Sequence, residues 1–268
     1  MSSNNILSSN FTELGTVDAS IPFADMQLKL SITSGALRYF IYSNTSSQVI
    51  YFGEHQILRN QSQTEMLHAI QRIFEKDEAL NFPYGQVTIV SNDPYTIVPL
   101  GFENQTEQIL SEHIVELELI VQTNPSTQIT EWLNARFPVV KFTHAVSSFL
   151  RDGRMESGKL YVHIESDFFD VLMMNSEVRL QFANRYSFKS ANDFIYHLLN
   201  VAQRLEFNRN EGELLLAGEI SAQSSIYNMC YKYFRNVYLI KRPENVKFAK
   251  AFSDFPEHLY YPTYIASI

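Results

Sequence analysis

Apolar residues alternate along the chain in short runs, and the runs come in a repeated order. In MQLKLSITSGALRYFIYS (26 to 43), Leu28, Leu30 and Ile32 share one face. Ser34-Gly35 interrupts the run, and Leu37, Tyr39 and Ile41 alternate again, which predicts a hairpin turning at Thr33 to Ala36. A third strand is predicted over 48 to 54. From Thr64 the period changes: Leu67, Ile70, Ile73 and Phe74 fall on one face of a helix running to about Leu80. A strand at 86 to 91 follows.

The same order returns in the second half. Strands at 160 to 166, 168 to 174 and 178 to 184 form a meander. Ser190 with Asp193 marks a helix start, and Phe194, Leu198, Val201 and Leu205 line one side of that helix. The strand ELLLAG follows at 213 to 218. Each half then continues. The first gives a strand at 114 to 121, a helix at 126 to 136, a strand at 139 to 143 and a helix at 144 to 152. The second gives a helix at 221 to 234 and a strand at 236 to 240. Hairpin strands followed by helix-linked strands predict a mixed sheet in each half. The spacing is too long for a solenoid repeat and indicates a duplicated α/β domain. The polar segment RDGRMESG (151 to 158) marks the boundary. The expected organisation is a loose arm at 1–21, one domain at 22–152, and a second at 153–268 ending in an irregular tail from 253.

Composition narrows the function. The chain has 268 residues, 45% hydrophobic and 19% charged, as in folded soluble proteins. A net charge of −8 argues against binding phosphate backbones, so no nucleic-acid partner is expected. A single cysteine, Cys230, excludes an internal disulfide. No signal peptide or membrane-length apolar run is read, and the expected location is the cytoplasm. The seven histidines show no metal-ligand spacing and read as packed or surface residues.

The duplicated plan resembles the actin-like ATPase superfamily, whose halves are ribonuclease-H-like domains. More closely, FPVVKFTHAVSSFL (137 to 150), LYVHIESDFFDVLMMN (160 to 175), LQFANRYSFKSANDFIYHLL (180 to 199) and LLLAGEIS (214 to 221) resemble a Bacteroidetes family, domain of unknown function 3822. The resemblance implies a cleft between two domains, where Gly-rich hairpins wrap phosphate and a strand Asp serves the metal or water. Here Ser31 stands at the Asp place and Thr33 at the first Gly place of the first hairpin. In the second hairpin His163 and Glu165 hold those places, and Glu165 puts an anion where phosphate would approach. The candidate cleft residues are therefore Ser34, Gly35, Ser166 and Gly218, the last following Ala217 as the remnant of a glycine pair. The favoured reading of the same residues is plainer: ordinary tight turns at Ser34-Gly35 and Ser166, and at Gly218 a strand ending in a small residue that permits close packing. Glu165 with Glu219 is the one acid pair a two-metal nuclease could use, without a third partner. The sequence thus predicts an actin-like protein that does not hydrolyse ATP and serves as an interaction or scaffold protein, with no cofactor and an unidentified protein partner. The alternative is a nucleotide-binding protein or weak ATPase holding ATP and magnesium at an atypical phosphate site.

Overall fold

The computed structural model describes residues 11–17, 20–59, 61–102, 104 and 109–266. The first half opens with β1 (Phe11–Gly15), β2 (Met26–Ile32), β3 (Ala36–Ser43) and β4 (Gln48–Gln56). The β2–β3 turn closes where the pattern placed it: Thr33 N–H donates to Ala36 O at 2.9 Å. Helix α1 (Gln63–Lys76) starts at Ser62, whose hydroxyl and Glu65 form a capping box. It buries Ile70 and Phe74 against Leu28, Leu30 and Leu133. Next come β5 (Gln86–Ser91), β6 (Tyr95–Pro99), β7 (Leu110–Ile114), β8 (Leu119–Thr123), α2 (Thr127–Arg136), β9 (Val140–His144) and α3 (Ala145–Arg151).

The second half carries β10 (Lys159–Ile164), β11 (Phe168–Met174), β12 (Leu180–Ser187), α4 (Ala191–Arg204), β13 (Glu213–Gly218), α5 (Ser225–Tyr233) and β14 (Asn236–Leu239). A short β15 (Lys247–Phe248) and α6 (Tyr261–Ile265) complete the chain. The large first sheet runs β1-β4-β3-β2-β5-β9, with β15 also on β4, and the second runs β12-β11-β10-β13-β14. The shared order is a meander whose first strand pairs parallel with the strand after the helix, β2 with β5 and β10 with β13. The duplication read from the pattern is therefore present in the topology. No helix among the described residues is long and apolar enough to cross a membrane.

Three expectations are corrected. The arm at 1–21 is not loose at Phe11–Gly15, which pairs antiparallel with β4; residues 1–10 lie outside the described residues. Pairing satisfies edge backbone groups of β4, and Phe11 stacks on His55 at 4.3 Å. The single strand expected at 114 to 121 is instead part of a separate three-stranded sheet, β6-β8-β7, inserted between β5 and α2. A helical turn at Val115–Leu117 and left-handed Glu118 break the run. Finally, the tail is not irregular throughout. Helix α6 buries Tyr261 and Tyr264 completely, in a core shared with Phe40 and Phe52 of the first sheet and Tyr161 and Leu172 of the second. A five-residue helix is too short to show a period, but its aromatic area is large enough to seat it.

Candidate functional site: a charged cleft between the halves

The β2–β3 and β10–β11 hairpins open toward the same side, next to the chain leaving β13. A cavity of about 730 Å³ lies there, lined by residues of both hairpins, of segment 219 to 224, and of segment 256 to 260 before α6. Two of the four candidate residues, Gly35 and Ser166, line it, and Ser34 and Gly218 are not among its lining residues. Ser34 is exposed at the turn. Gly218 has φ +95, and a Cβ there would lie 2.0 Å from Ile164 O, so this glycine serves the close approach of β13 to β10. Its N–H donates to His258 O at 2.8 Å, which ties the tail to the second sheet.

The centre of the site is a residue that sequence reasoning missed. Arg38 lies on β3 opposite Ser31 and is 5% exposed. Its Nε lies 3.3 Å from Glu54 Oε1 and its Nη1 3.3 Å from Glu165 Oε2; its Nη2 pairs with Glu219. Its guanidinium lies over the Tyr260 ring, 4.4 Å from the centroid. Tyr260 in turn donates to Glu54 Oε2 at 2.9 Å. One cation from the first sheet thus joins carboxylates of both halves and an aromatic ring of the tail. A signal existed in the sequence: a lone arginine on the same face as Phe40 and Tyr42, within an apolar strand. Charged side chains at inward positions need buried partners.

The cluster continues behind Glu165. His163 sits fully buried on β10, with Nε2 3.4 Å from Glu165 Oε1 and Nδ1 3.6 Å from Asp170 Oδ2. Asp170 receives Arg185 in bidentate fashion, Nε to Oδ1 at 2.7 Å and Nη2 to Oδ2 at 2.8 Å. Burial disfavours the His163 imidazolium, but Asp170 and Glu165 outweigh it and raise its pKa to about 9. Burial likewise opposes charge on Glu165, and His163 and Arg38 reverse that, holding its carboxyl below the ordinary value. Glu219 goes the other way: burial raises it, Arg38 opposes, and Glu165 adds repulsion. The anion that looked misplaced at Glu165 is therefore neutralised by the protein itself.

At Ser31, the place the resemblance to actin-like ATPases assigns to an Asp, the hydroxyl accepts from Asn92 Nδ2 at 3.1 Å. Glu165 and Glu219 do meet, but through Arg38. No group of three or more His, Cys, Asp or Glu side chains among the described residues is placed to hold a metal ion. The reading of the histidines as packed or surface residues fits His144. His144 is buried, caps α3 by accepting from Val146 N–H at 3.1 Å, and is held neutral by burial, its pKa lowered to about 4. Burial pushes the Cys230 thiol up to about 12, an inert value.

Two duplicated sheets around a cleft, each beginning with a meander, define the actin-like ATPase fold. A protein with actin-like ATPase fold and unknown function from Bacteroides thetaiotaomicron superposes with a TM-score of 0.73 at 19% identity, covering 84% of this chain and 94% of that one. The PilM–PilN type IV pilus biogenesis complex gives 0.57 at 10% identity, with 89% and 96% covered. Ethanolamine utilization protein EutJ from Carboxydothermus hydrogenoformans gives 0.52 at 7% identity, with 90% and 88% covered. No curated protein matches this chain. Within the fold, the chain belongs to the family described as protein of unknown function (DUF3822), which matches residues 22–237.

Proposed function

We propose that this protein is a non-hydrolysing member of the actin-like fold and works as an interaction or scaffold protein in the cytoplasm. The observation that carries this reading is Arg38 held by Glu54, Glu165 and Glu219 between the two hairpins. A triphosphate needs donors and net positive charge at that place. Glu54, Glu165 and Glu219 fully engage Arg38, and Arg59 is the second guanidinium on the cavity wall, so the hairpins offer no excess of positive charge. The hydroxyl at Ser31 is bonded to Asn92 and offers no carboxylate to a magnesium ion. The tail supports the same reading, because α6 packs between the two sheets and joins their cores. Domain closure over a nucleotide would have to move a fully buried helix. One structural neighbour is a complex of two proteins, PilM and PilN, so a fold of this kind does support protein binding.

The test is a thermal-shift titration with ATP and ADP in magnesium. A ligand that binds the folded state raises Tm by mass action, by about 2.7 kcal/mol of stability at a hundred times Kd. No shift at millimolar nucleotide is expected. A saturable, magnesium-dependent rise would overturn this reading in favour of a nucleotide-binding protein or weak ATPase, which the cavity beside Gly35 and Ser166 would then serve.

A further inference from the structure

The inserted β6-β8-β7 sheet carries an apolar surface that nothing in the cleft accounts for. At its far end the chain turns after Pro99. Leu100 N–H donates to Glu118 O at 2.9 Å, Phe102 N–H to Pro99 O at 3.1 Å, and Glu118 N–H to Val115 O at 3.1 Å. These bonds hold Leu100, Phe102 and Val115 on one tip. The β11–β12 turn of the second half meets that tip, with Arg179 Nη1 3.4 Å from Glu118 Oε2. Next to Arg179 stands Val178 at φ +59. A β-branched residue in the left-handed region is unfavourable, so the turn holds an outward valine at some energetic expense.

Leu100, Phe102, Val115 and Val178 are 46%, 77%, 66% and 51% exposed. They are four of the ten large apolar side chains exposed among the described residues. Scattered single exposures need no explanation, but apolar side chains gathered on a polar-rimmed surface mark an interaction site. The rim fixes the sign of the partner. Glu116, Glu118 and Glu177 are exposed around the four side chains, and Arg179 is shared between Glu118 at 3.4 Å and Glu177 at 3.8 Å. The patch is thus net negative on a chain of net charge −8. A second copy pairing through the same patch would bring like charges together. An anionic membrane surface is repelled for the same reason.

We infer that the surface formed by Leu100, Phe102, Val115 and Val178 docks a partner-protein segment whose apolar anchors are flanked by lysine or arginine. The inference deepens the interaction reading and rests on it. Aromatic and aliphatic anchors fill the centre of such a contact, and the Glu118 and Glu177 carboxylates steer the basic flanks.

The test uses the full chain and two fluorescent amphipathic peptides, one of leucine and lysine and one with glutamate in place of each lysine. Anisotropy titrations at low salt should show saturable binding of the lysine peptide and none of the glutamate peptide, with the binding weakened at high salt. Phe102→Ser with Val115→Ser should weaken the lysine peptide about tenfold or more, without lowering Tm, because both side chains are exposed. Glu118→Lys with Glu177→Lys should reverse the preference between the peptides. Binding of neither peptide, equal binding of both, or binding unchanged by the serine pair overturns the inference. So does concentration-dependent dimerisation, or adsorption to phosphatidylcholine vesicles, that the serine pair abolishes; these would place a second copy or a lipid surface there instead. A nucleotide-induced rise in Tm tests the cleft alone, so the two readings fail separately.

Discussion

Replacing Arg38 by methionine keeps the length of the buried stem and removes the guanidinium. Glu54, Glu165 and Glu219 are then left facing one another, with side chains 12%, 6% and 23% exposed. Removing one partner of a buried ion pair costs about 3–5 kcal/mol, because the remaining charge is uncompensated. His163, 3.4 Å from Glu165, still offsets part of that charge, and Glu219 reaches some solvent. The loss of the Tyr260 ring contact adds about 1 kcal/mol. The expected deficit is about 4 kcal/mol near neutral pH, or a fall in Tm on the order of 10 °C for a chain of this size. The pH dependence follows in sign. In the variant Glu219, already raised by burial and by Glu165, loses the opposing Arg38 charge, so its folded pKa stands above the unfolded one, folding takes up a proton and the deficit shrinks as pH falls toward about 5. Urea denaturation followed by circular dichroism at about pH 8 and about pH 5 measures both quantities. Adding Glu165→Leu and Glu219→Gln to the variant should recover part of the loss, since two of the three uncompensated carboxylates are then gone. A single variant within about 0.5 kcal/mol of wild type, or an equal deficit at both pH values, would refute the account of Arg38 as the joint between the halves.

Two further outcomes test the backbone and the buried charges. Gly218→Ala forces a Cβ to 2.0 Å from Ile164 O at φ +95 and should cost about 3 kcal/mol or more, whereas Gly153→Ala, at φ +70 with its nearest neighbour 4.0 Å away, should cost about 1 kcal/mol; urea midpoints separate them. Lys29 and His163 are expected to oppose each other between pH 7 and 9. Burial lowers the Lys29 amine to about 7, so the unfolded chain binds the extra proton and stability rises with pH. His163, raised to about 9, stabilises the fold fully below its unfolded pKa and loses that contribution as pH rises through 9. Lys29→Met should therefore uncover a stability that falls with pH across this window, and His163→Gln one that rises, each with a slope of up to about 1.4 kcal/mol per pH unit. Parallel slopes in the two variants would contradict both assignments.

The order of elements was legible because the apolar face of each strand and helix is written locally. Leu28, Leu30 and Ile32 alternate on β2, and Ile70 and Phe74 fall on one side of α1. Ser190 with Asp193 was read as a helix start and caps α4, whereas the Ser62–Glu65 capping box starts α1 just before Thr64, where the period placed it. Of the four candidate cleft residues taken from the resemblance, Gly35 and Ser166 line the cavity and Ser34 and Gly218 do not. Gly218 was read as the remnant of a glycine pair or, more plainly, as a small residue permitting close packing, and the structure shows the second, with β13 running beside Ile164 of β10. The inserted sheet was blurred because its strands are five residues each and are broken by turns at Pro99 and Glu118.

By itself the sequence determined the duplicated α/β plan, the positions of both hairpins and the presence of Ser31 and His163, not an Asp, in their first strands, since each depends on residues within one turn or strand. Only the tertiary structure decided what Glu165 is for. Its partner Arg38 lies 127 positions away, and Glu219 lies 181 from that same arginine. Only the folded chain shows that the tail, through Tyr260, Tyr261 and Tyr264, fills the space between the sheets. Alternation and capping act over a few bonds and leave a local record. A buried charge is stabilised by whatever the fold brings to it, and no local pattern carries that information.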